Sequence, residues 1–128
     1  MLAVDTNVVV RFLTKDDPRQ SPIALDLLSQ NDTWIGATVM LETEWVLRSV
    51  YGFSPAEVSA AIRSLGGLRR LQIEDAEAVA TALGHHERGM DFADALHVVR
   101  GRHADAFVTF DEPCIKAGAR LNLTVRAP

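Results

Sequence analysis

The sequence predicts an α/β fold with a mostly parallel sheet of four to five strands that is covered by helices on both faces. Short apolar segments that suit strands alternate along the whole chain with longer segments of helical spacing. Of the 128 residues, 48% are hydrophobic and 6% aromatic, which is typical of an α/β or helix-rich protein. The length predicts a single domain over residues 1–128 with a sizeable core.

The strand predictions depend on short apolar or β-branched runs that end at polar or turn-forming residues. The first run, residues 2–4, is expected to be a buried strand, and Asp5 follows it directly. The predicted strands are residues 2–4, 33–35, 71–73, 106–109 and 123–125. Since helical segments separate them, neighbouring strands are expected to run parallel.

Capping residues mark the predicted helix starts. The clearest is Ser54-Pro55-Ala56-Glu57, in which serine caps, proline comes first in the helix and glutamate lies three residues on. Ser21 before Pro22 predicts a similar start for an earlier helix. The predicted helices cover residues 8–14, 22–30, 39–51, 55–65, 76–86, 91–102 and 113–117.

Charge and composition limit the classes of function. The formal net charge of −4 argues against a domain that binds nucleic acid through overall positive charge, although a carboxylate metal site would itself lower the net charge. The single cysteine, Cys114, permits neither an internal disulfide nor a cysteine zinc cluster, and we expect a small apolar residue there. No apolar run approaches the roughly 20 residues of a membrane span, and no signal peptide is visible, so a cytoplasmic protein is expected.

Two acidic residues follow predicted strands. Asp5 comes after the first strand and Asp111 after the fourth, and the carboxyl ends of parallel strands meet at one edge of the sheet. Strand alternation places Thr109 on the same face as Asp111. The alternative for Asp5 and Asn7 is that they only cap the next helix.

Two glutamates in the third predicted helix receive different roles. Helical spacing places Glu42 on the same side as Val46 and Val50, which are expected to face the sheet, so Glu42 is a candidate site residue. Glu44 is expected to face solvent and to pair with Arg48 four residues on. The alternative for Glu42 is an acid at the border of the apolar face.

Asp91 and Asp94 lie three residues apart, on one face of a predicted helix start. They can be a helix cap and its partner, or they can be metal ligands. Both roles are compatible, because a capping position directs an acid toward whatever lies at the start of the helix. The histidines lack zinc-ligand spacing and are expected to be structural or on the surface.

Clustered carboxylates repel one another unless they are protonated or bind a cation. Ligands that offer only oxygen favour Mg²⁺ or Mn²⁺ over zinc. Two such ions stabilise the attacking and the leaving oxygen in phosphodiester cleavage. The acids therefore predict a metal-dependent phosphodiesterase if they converge.

Four segments in this order resemble the PIN-domain ribonucleases, and most of all the VapC toxins of bacterial type II toxin–antitoxin systems. The resemblance covers nearly the whole chain. The segments are Val4-Asp5-Thr6-Asn7, Leu41-Glu42 with Trp45-Val46-Leu47 after it, Asp91-Phe92-Ala93-Asp94-Ala95-Leu96-His97 and Val108-Thr109-Phe110-Asp111.

The resemblance implies a PIN-like three-layer sandwich and an endoribonuclease that uses Mg²⁺ or Mn²⁺. It places the four catalytic and metal-binding acids on Asp5, Glu42, Asp94 and Asp111. It places the supporting polar residues on Thr6, Asn7, Asp91 and Thr109. It also implies an RNA substrate, a homodimer and a cognate antitoxin that covers the site. Trp45 is expected either in an exposed groove for the antitoxin or in the core.

Two other functions remain open from the sequence. An aspartyl phosphatase would suit the strand-end position of Asp5, but that chemistry needs an acid two residues later, where Asn7 stands. A non-catalytic PIN-like module that binds metal or RNA would be expected to lack one of the four acids, and none is missing.

Overall fold

Five strands and seven α-helices alternate along residues 1–128, all of which the computed structural model describes. The strands are β1 (Leu2–Ala3), β2 (Thr33–Ile35), β3 (Leu71–Ile73), β4 (Phe107–Val108) and β5 (Val125–Arg126). The helices are α1 (Thr6–Thr14), α2 (Gln20–Gln30), α3 (Ala37–Ser49), α4 (Pro55–Ser64), α5 (Ala76–Glu87), α6 (Phe92–Arg100) and α7 (Glu112–Arg120). All strand pairs are parallel, so the predicted α/β fold with parallel strands is confirmed.

The residues group into two compact units, Met1–Ala76 and Glu77–Pro128, which are described in turn. In the first unit, three strands form a sheet in the order β1-β2-β3. In the second unit, β4 pairs with β5. The five strands are thus hydrogen-bonded as a set of three and a set of two.

The expectation of a buried first strand is wrong for most of its length. Leu2 and Ala3 are exposed, and Val4 is buried. The reason is that β1 pairs with β2 alone and is therefore an edge strand. The ladder continues past β1, since the Val4 amide donates to the Trp34 carbonyl at 3.1 Å.

Helix starts in the first unit follow the predicted signals at one place and depart from them at another. The capping box at α4 is complete: Ser54 Oγ accepts from the Glu57 amide at 3.2 Å, and the Glu57 carboxylate accepts from the Ser54 amide at 3.1 Å. The predicted cap at Ser21 is wrong. Helix α2 begins at Gln20, because the Asp17 carboxylate accepts from the Gln20 amide at 2.7 Å and takes the capping role.

Both units contribute fully buried apolar side chains. The fully buried side chains of the first unit come mainly from α2, β2, α3 and α4, and those of the second from α5 and α6. The largest are Leu28, Ile35, Met40, Leu47, Ile62 and Leu65 in the first unit, and Leu83, Met90, Phe92 and Leu96 in the second. Trp45 is 54% exposed and is therefore not a core residue.

Helix α7 lies against β5 in the second unit through a glycine. Gly118 is buried, and a Cβ atom added there would lie 2.6 Å from Cγ2 of Val125. Only a glycine permits this close approach of helix and strand. None of the seven helices combines the length and apolar character that a membrane crossing requires.

Candidate functional site

Asp5 stands where β1 gives way to α1. It is the N-cap of α1, and its Oδ1 accepts from the Thr6 amide at 2.8 Å. The Asp5 carbonyl accepts from the Val8 amide at 3.1 Å, which begins the helical hydrogen bonds. Asp5 is exposed, so the cap bond leaves its second carboxylate oxygen accessible. The cap role and the predicted strand-end position therefore coexist.

The Thr6 hydroxyl connects this helix start to Glu42. Thr6 is buried, and its Oγ1 donates to Oε1 of Glu42 in a short hydrogen bond. Glu42 itself is exposed, on α3. The structure thus links two predicted site residues of the first unit, Glu42 and Thr6, and Thr6 is bonded in turn to Asp5. Asn7 is exposed and lines a groove with Val8.

The expected orientation of α3 is wrong. Its buried face carries Met40, Thr43, Glu44 and Leu47, whereas Val50 is 67% exposed. Glu44 is therefore inside, with 2% of its surface exposed, and Glu42 is outside.

A buried carboxylate needs a partner, and the sequence had indicated the right one. Arg48 donates to Glu44 at 2.8 Å, so the predicted pair is confirmed even though its expected exposure is not. The arginine is exposed, so it neutralises the carboxylate while its own charge stays in contact with water. Glu42 needs no such partner, because it is exposed beside Thr6.

Two acids stand at the start of α6 in the second unit. Asp91 is the N-cap, and its Oδ2 accepts from the Asp94 amide at 3.1 Å. Asp94 occupies the third helical position and is partly buried. Both stand in the first turn, where the partial positive charge of the helix end favours carboxylates. The predicted capping relation is confirmed, and it does not remove either acid from the candidate site.

Asp111 stands at the start of α7, as Asp91 stands at the start of α6. It is the N-cap, and its Oδ2 accepts from the Cys114 amide at 3.0 Å. Thr109 fixes this acid from the other side, because its Oγ1 accepts from the Asp111 amide at 3.0 Å. The Thr109 hydroxyl thus contacts Asp111 through its backbone amide, and the supporting role of Thr109 in a metal site stays a prediction.

Asp94, Asp111 and Cys114 come together at these two helix starts. One ligand atom from each, two carboxylate oxygens and Sγ, lie within 4.8 Å of one another. Burial raises the pKa of Asp94, and the negative charges of Asp91 and Asp111 raise it further. Part of the local negative charge is therefore uncompensated, which is the condition that a cation would relieve.

Cys114 was missed as a member of this cluster. It is buried, as a small apolar residue would be, but its Sγ lies within 4.8 Å of carboxylate oxygens of Asp94 and Asp111. Burial, together with the charges of Asp94 and Asp111, raises the pKa of the thiol to about 11, so it is protonated at neutral pH. The signal was its position three residues after the cap Asp111, which places both in the first turn of α7.

The donor set fits a divalent cation that prefers oxygen. Asp94 and Asp111 offer carboxylate oxygens, and each lies at the start of a helix that fixes its backbone. Sγ of Cys114 lies within 4.8 Å of both carboxylates and is the single sulfur atom of the set. Hard ions such as Mg²⁺ and Mn²⁺ match such a set.

The histidines occupy structural or surface positions, as expected. His86 is buried, and its Nδ1 lies 2.8 Å from the Met90 carbonyl. Its ring meets that of Phe92 edge to face at 5.9 Å. His97 and His103 are exposed.

A family model described as the PIN domain matches residues 2–119. The comparisons with curated proteins and with solved structures gave no match. The matched region includes every acid of both units described above. PIN domains are generally metal-dependent nucleases. The chain belongs to the PIN domain family.

Proposed function

We propose that this PIN domain is a metal-dependent endoribonuclease that cleaves RNA phosphodiester bonds with Mg²⁺ or Mn²⁺ held by Asp5, Glu42, Asp94 and Asp111. The observation that carries the proposal is the Asp94–Asp111 cluster. One oxygen from each of the two carboxylates and Sγ of Cys114 lie within 4.8 Å of one another, and burial together with the negative charges of Asp91 and Asp111 raises the pKa of Asp94.

The site residues have different proposed roles. Asp94 and Asp111 supply fixed negative charge, because the cap bonds at α6 and α7 restrain the acids and their surroundings. Thr6 orients the Glu42 carboxylate through its hydroxyl, and Asp5 keeps one oxygen beyond its cap bond. Asp5, Glu42, Asp94 and Asp111 would hold the divalent cation, which would supply activation of water and stabilisation of the departing oxygen of a phosphodiester.

The cellular role follows from the resemblance to VapC toxins and is proposed with it. The protein acts as the toxin of a toxin–antitoxin pair in the cytoplasm, as a homodimer, and a cognate antitoxin covers the site. The single domain over residues 1–128 also stays a prediction.

The test is cleavage of single-stranded RNA by the purified protein. We expect cleavage with Mg²⁺ or Mn²⁺, loss of cleavage with a chelator, and losses of at least 100-fold for Asp5→Asn and Asp94→Asn, on the scale of removing a group that stabilises transition-state charge. The matched control is Asp26→Asn, which removes an exposed carboxylate from α2.

The outcomes separate the competing functions. Cleavage that persists in chelator and in both site variants would refute the metal mechanism. Hydrolysis of a small phosphate ester through a covalent aspartyl intermediate would instead identify a phosphatase. Metal binding without cleavage would identify a binding module.

A further inference from the structure

Phe110 is the most exposed large apolar side chain of the protein, with 86% of its surface open to solvent. It stands between Thr109 and Asp111, so the residue that follows it caps α7 and belongs to the acidic cluster. Scattered exposed apolar residues need no explanation, but an aromatic ring directly beside a candidate reaction centre does.

The backbone around this ring is held on both sides. The Thr109 amide donates to the Arg126 carbonyl at 3.0 Å, which extends the pairing of β4 with β5. The Asp111 amide donates to the Thr109 hydroxyl at 3.0 Å, and Asp111 is anchored to α7 by its cap bond to Cys114. The ring is therefore presented from a fixed backbone rather than from a loose loop tip.

A cation and a second apolar side chain share this end of the second unit. Val108 is 47% exposed and pairs in register with Arg126, whose side chain is also exposed. Paired residues of neighbouring strands lie on the same face, and Phe110 follows two residues after Val108, in the bend beyond the end of β4. The patch, defined by Val108, Phe110 and Arg126, thus combines an aromatic ring with a guanidinium.

We propose that Phe110 stacks on a nucleobase of the RNA substrate, next to the phosphate that is cleaved. This inference rests on the proposed function and adds the residue that positions the base. Proteins that bind single-stranded nucleic acid combine aromatic stacking with cationic contacts to the backbone, and Phe110 with Arg126 supplies both.

The acids beside the ring favour a nucleotide over a protein surface. A protein that covered Phe110 with apolar residues alone would also remove Asp111 from water, and an unpaired buried carboxylate is costly. An antitoxin that covers the site would therefore need to bring a cation for the acids. A nucleotide would bring its base to the ring, and its phosphate would lie near the cation that the acids would hold.

The binding test uses Asp94→Asn protein, so that the RNA stays intact, and a short unstructured RNA that contains every base. Adding Phe110→Ala should weaken binding by about 5- to 150-fold, which is the loss of one base–aromatic stack. Phe110→Trp should bind as tightly as the parent, and Phe110→Leu should bind like the alanine variant, because leucine keeps apolar surface but has no π-face. Val50→Ala, at an exposed apolar residue of the first unit, is the matched control.

An abasic-site scan of the RNA gives the sharper readout. At one position beside the cleavage site, removing the base should weaken binding to the parent and should have no further effect on Phe110→Ala. This dependence is specific to a stack between the two groups. In the cleaving protein, Phe110→Ala should raise KM more than it lowers kcat.

The results of these experiments distinguish failure of the stacking proposal from failure of the proposed function. Equal RNA affinities of the Phe110→Ala, Phe110→Leu and Phe110→Trp variants would overturn the stacking proposal. If the wild-type protein cleaves RNA with Mg²⁺, that result would leave the proposed function standing. A wild-type protein that neither binds nor cleaves RNA would overturn both. A Phe110→Ala variant with unchanged RNA affinity but a changed oligomeric mass would show that the ring belongs to a protein contact, and the inference would be wrong.

Discussion

The close approach of α7 to β5 makes Gly118→Ala a sensitive test of the second unit. In an ordinary helix, replacing glycine by alanine stabilises a protein by about 0.5–1 kcal/mol, because glycine loses more backbone entropy on folding. At Gly118 the new Cβ would lie 2.6 Å from Cγ2 and 2.7 Å from Cβ of Val125. The Val125 Cβ cannot rotate away, so helix and strand must move apart.

The chain offers a matched control for the magnitude. Gly84 lies in α5, and a Cβ there meets no atom within 4 Å, so Gly84→Ala keeps the helix gain without the clash. Overpacking a core costs about 1–3 kcal/mol. That cost is the expected difference between the two variants, and after subtraction of the helix gain Gly118→Ala should be less stable than wild type by up to about 2.5 kcal/mol.

Thermal and urea unfolding of both variants measure this difference. For a 128-residue chain, each kcal/mol corresponds to about 4 °C in melting temperature. The variant Gly118→Ala with Val125→Ala should lose less than the sum of the two single losses, because the second change removes the nearest clashing atom. A Gly118→Ala protein as stable as Gly84→Ala would refute the packing argument.

Two further predictions concern the cluster at α7. The pKa of the Cys114 thiol rises from 9.0 to about 11, so the folded protein at pH 8 should hold about 100-fold less thiolate than an unperturbed thiol. Iodoacetamide should therefore label Cys114 only after unfolding. Rapid labelling of the folded protein would contradict this prediction. Mg²⁺ is expected to raise the melting temperature of the wild-type protein but not that of Asp111→Asn, and in chelator Asp111→Asn should be as stable as wild type because asparagine also caps a helix. Asp111→Ala should lose the Mg²⁺ effect and, in chelator, also about 1 kcal/mol of stability. Equal stabilities of the two variants would remove the capping role.

Local signals predicted the elements that depend on neighbouring residues. The capping box of Ser54 and Glu57 fixed the start of α4, and the strands at residues 33–35 and 71–73 agree with β2 and β3 to the residue. These features need only backbone preferences and side chains three positions apart. The same holds for the caps Asp91 and Asp111, whose partners lie within one helical turn.

Predictions that depended on tertiary packing failed where the apolar pattern of an element allowed more than one orientation. Helix α3 has apolar residues on more than one side, so the sequence alone could not say that Met40 and Leu47 would be buried and Val50 exposed. The burial of Glu44 depends on its pairing with Arg48, which makes a charged residue compatible with the core. The exposure of Leu2 depends on the place of β1 at the edge of its sheet.

Within the candidate site, sequence reasoning identified the acids and missed their neighbours. Cys114 was assigned by composition alone, although its spacing from Asp111 placed it beside the cluster. The sequence shows Phe110 only as part of the segment Val108-Thr109-Phe110-Asp111, because the exposure of an aromatic side chain cannot be predicted from a strand-like segment.

Capping and metal binding by the same acids have one physical cause. A cap bond uses one oxygen of a carboxylate, Oδ1 of Asp5 and Oδ2 of Asp91 and Asp111, and a carboxylate has a second oxygen with its own lone pairs. The cap bond fixes the acid at the helix end, and the second oxygen remains for another ligand. A helix that needs a cap can therefore bring an acid to a reaction centre without an additional structural element. This is why the choice between cap and ligand cannot be made from the sequence: the residue type, the spacing and the local geometry are the same for both.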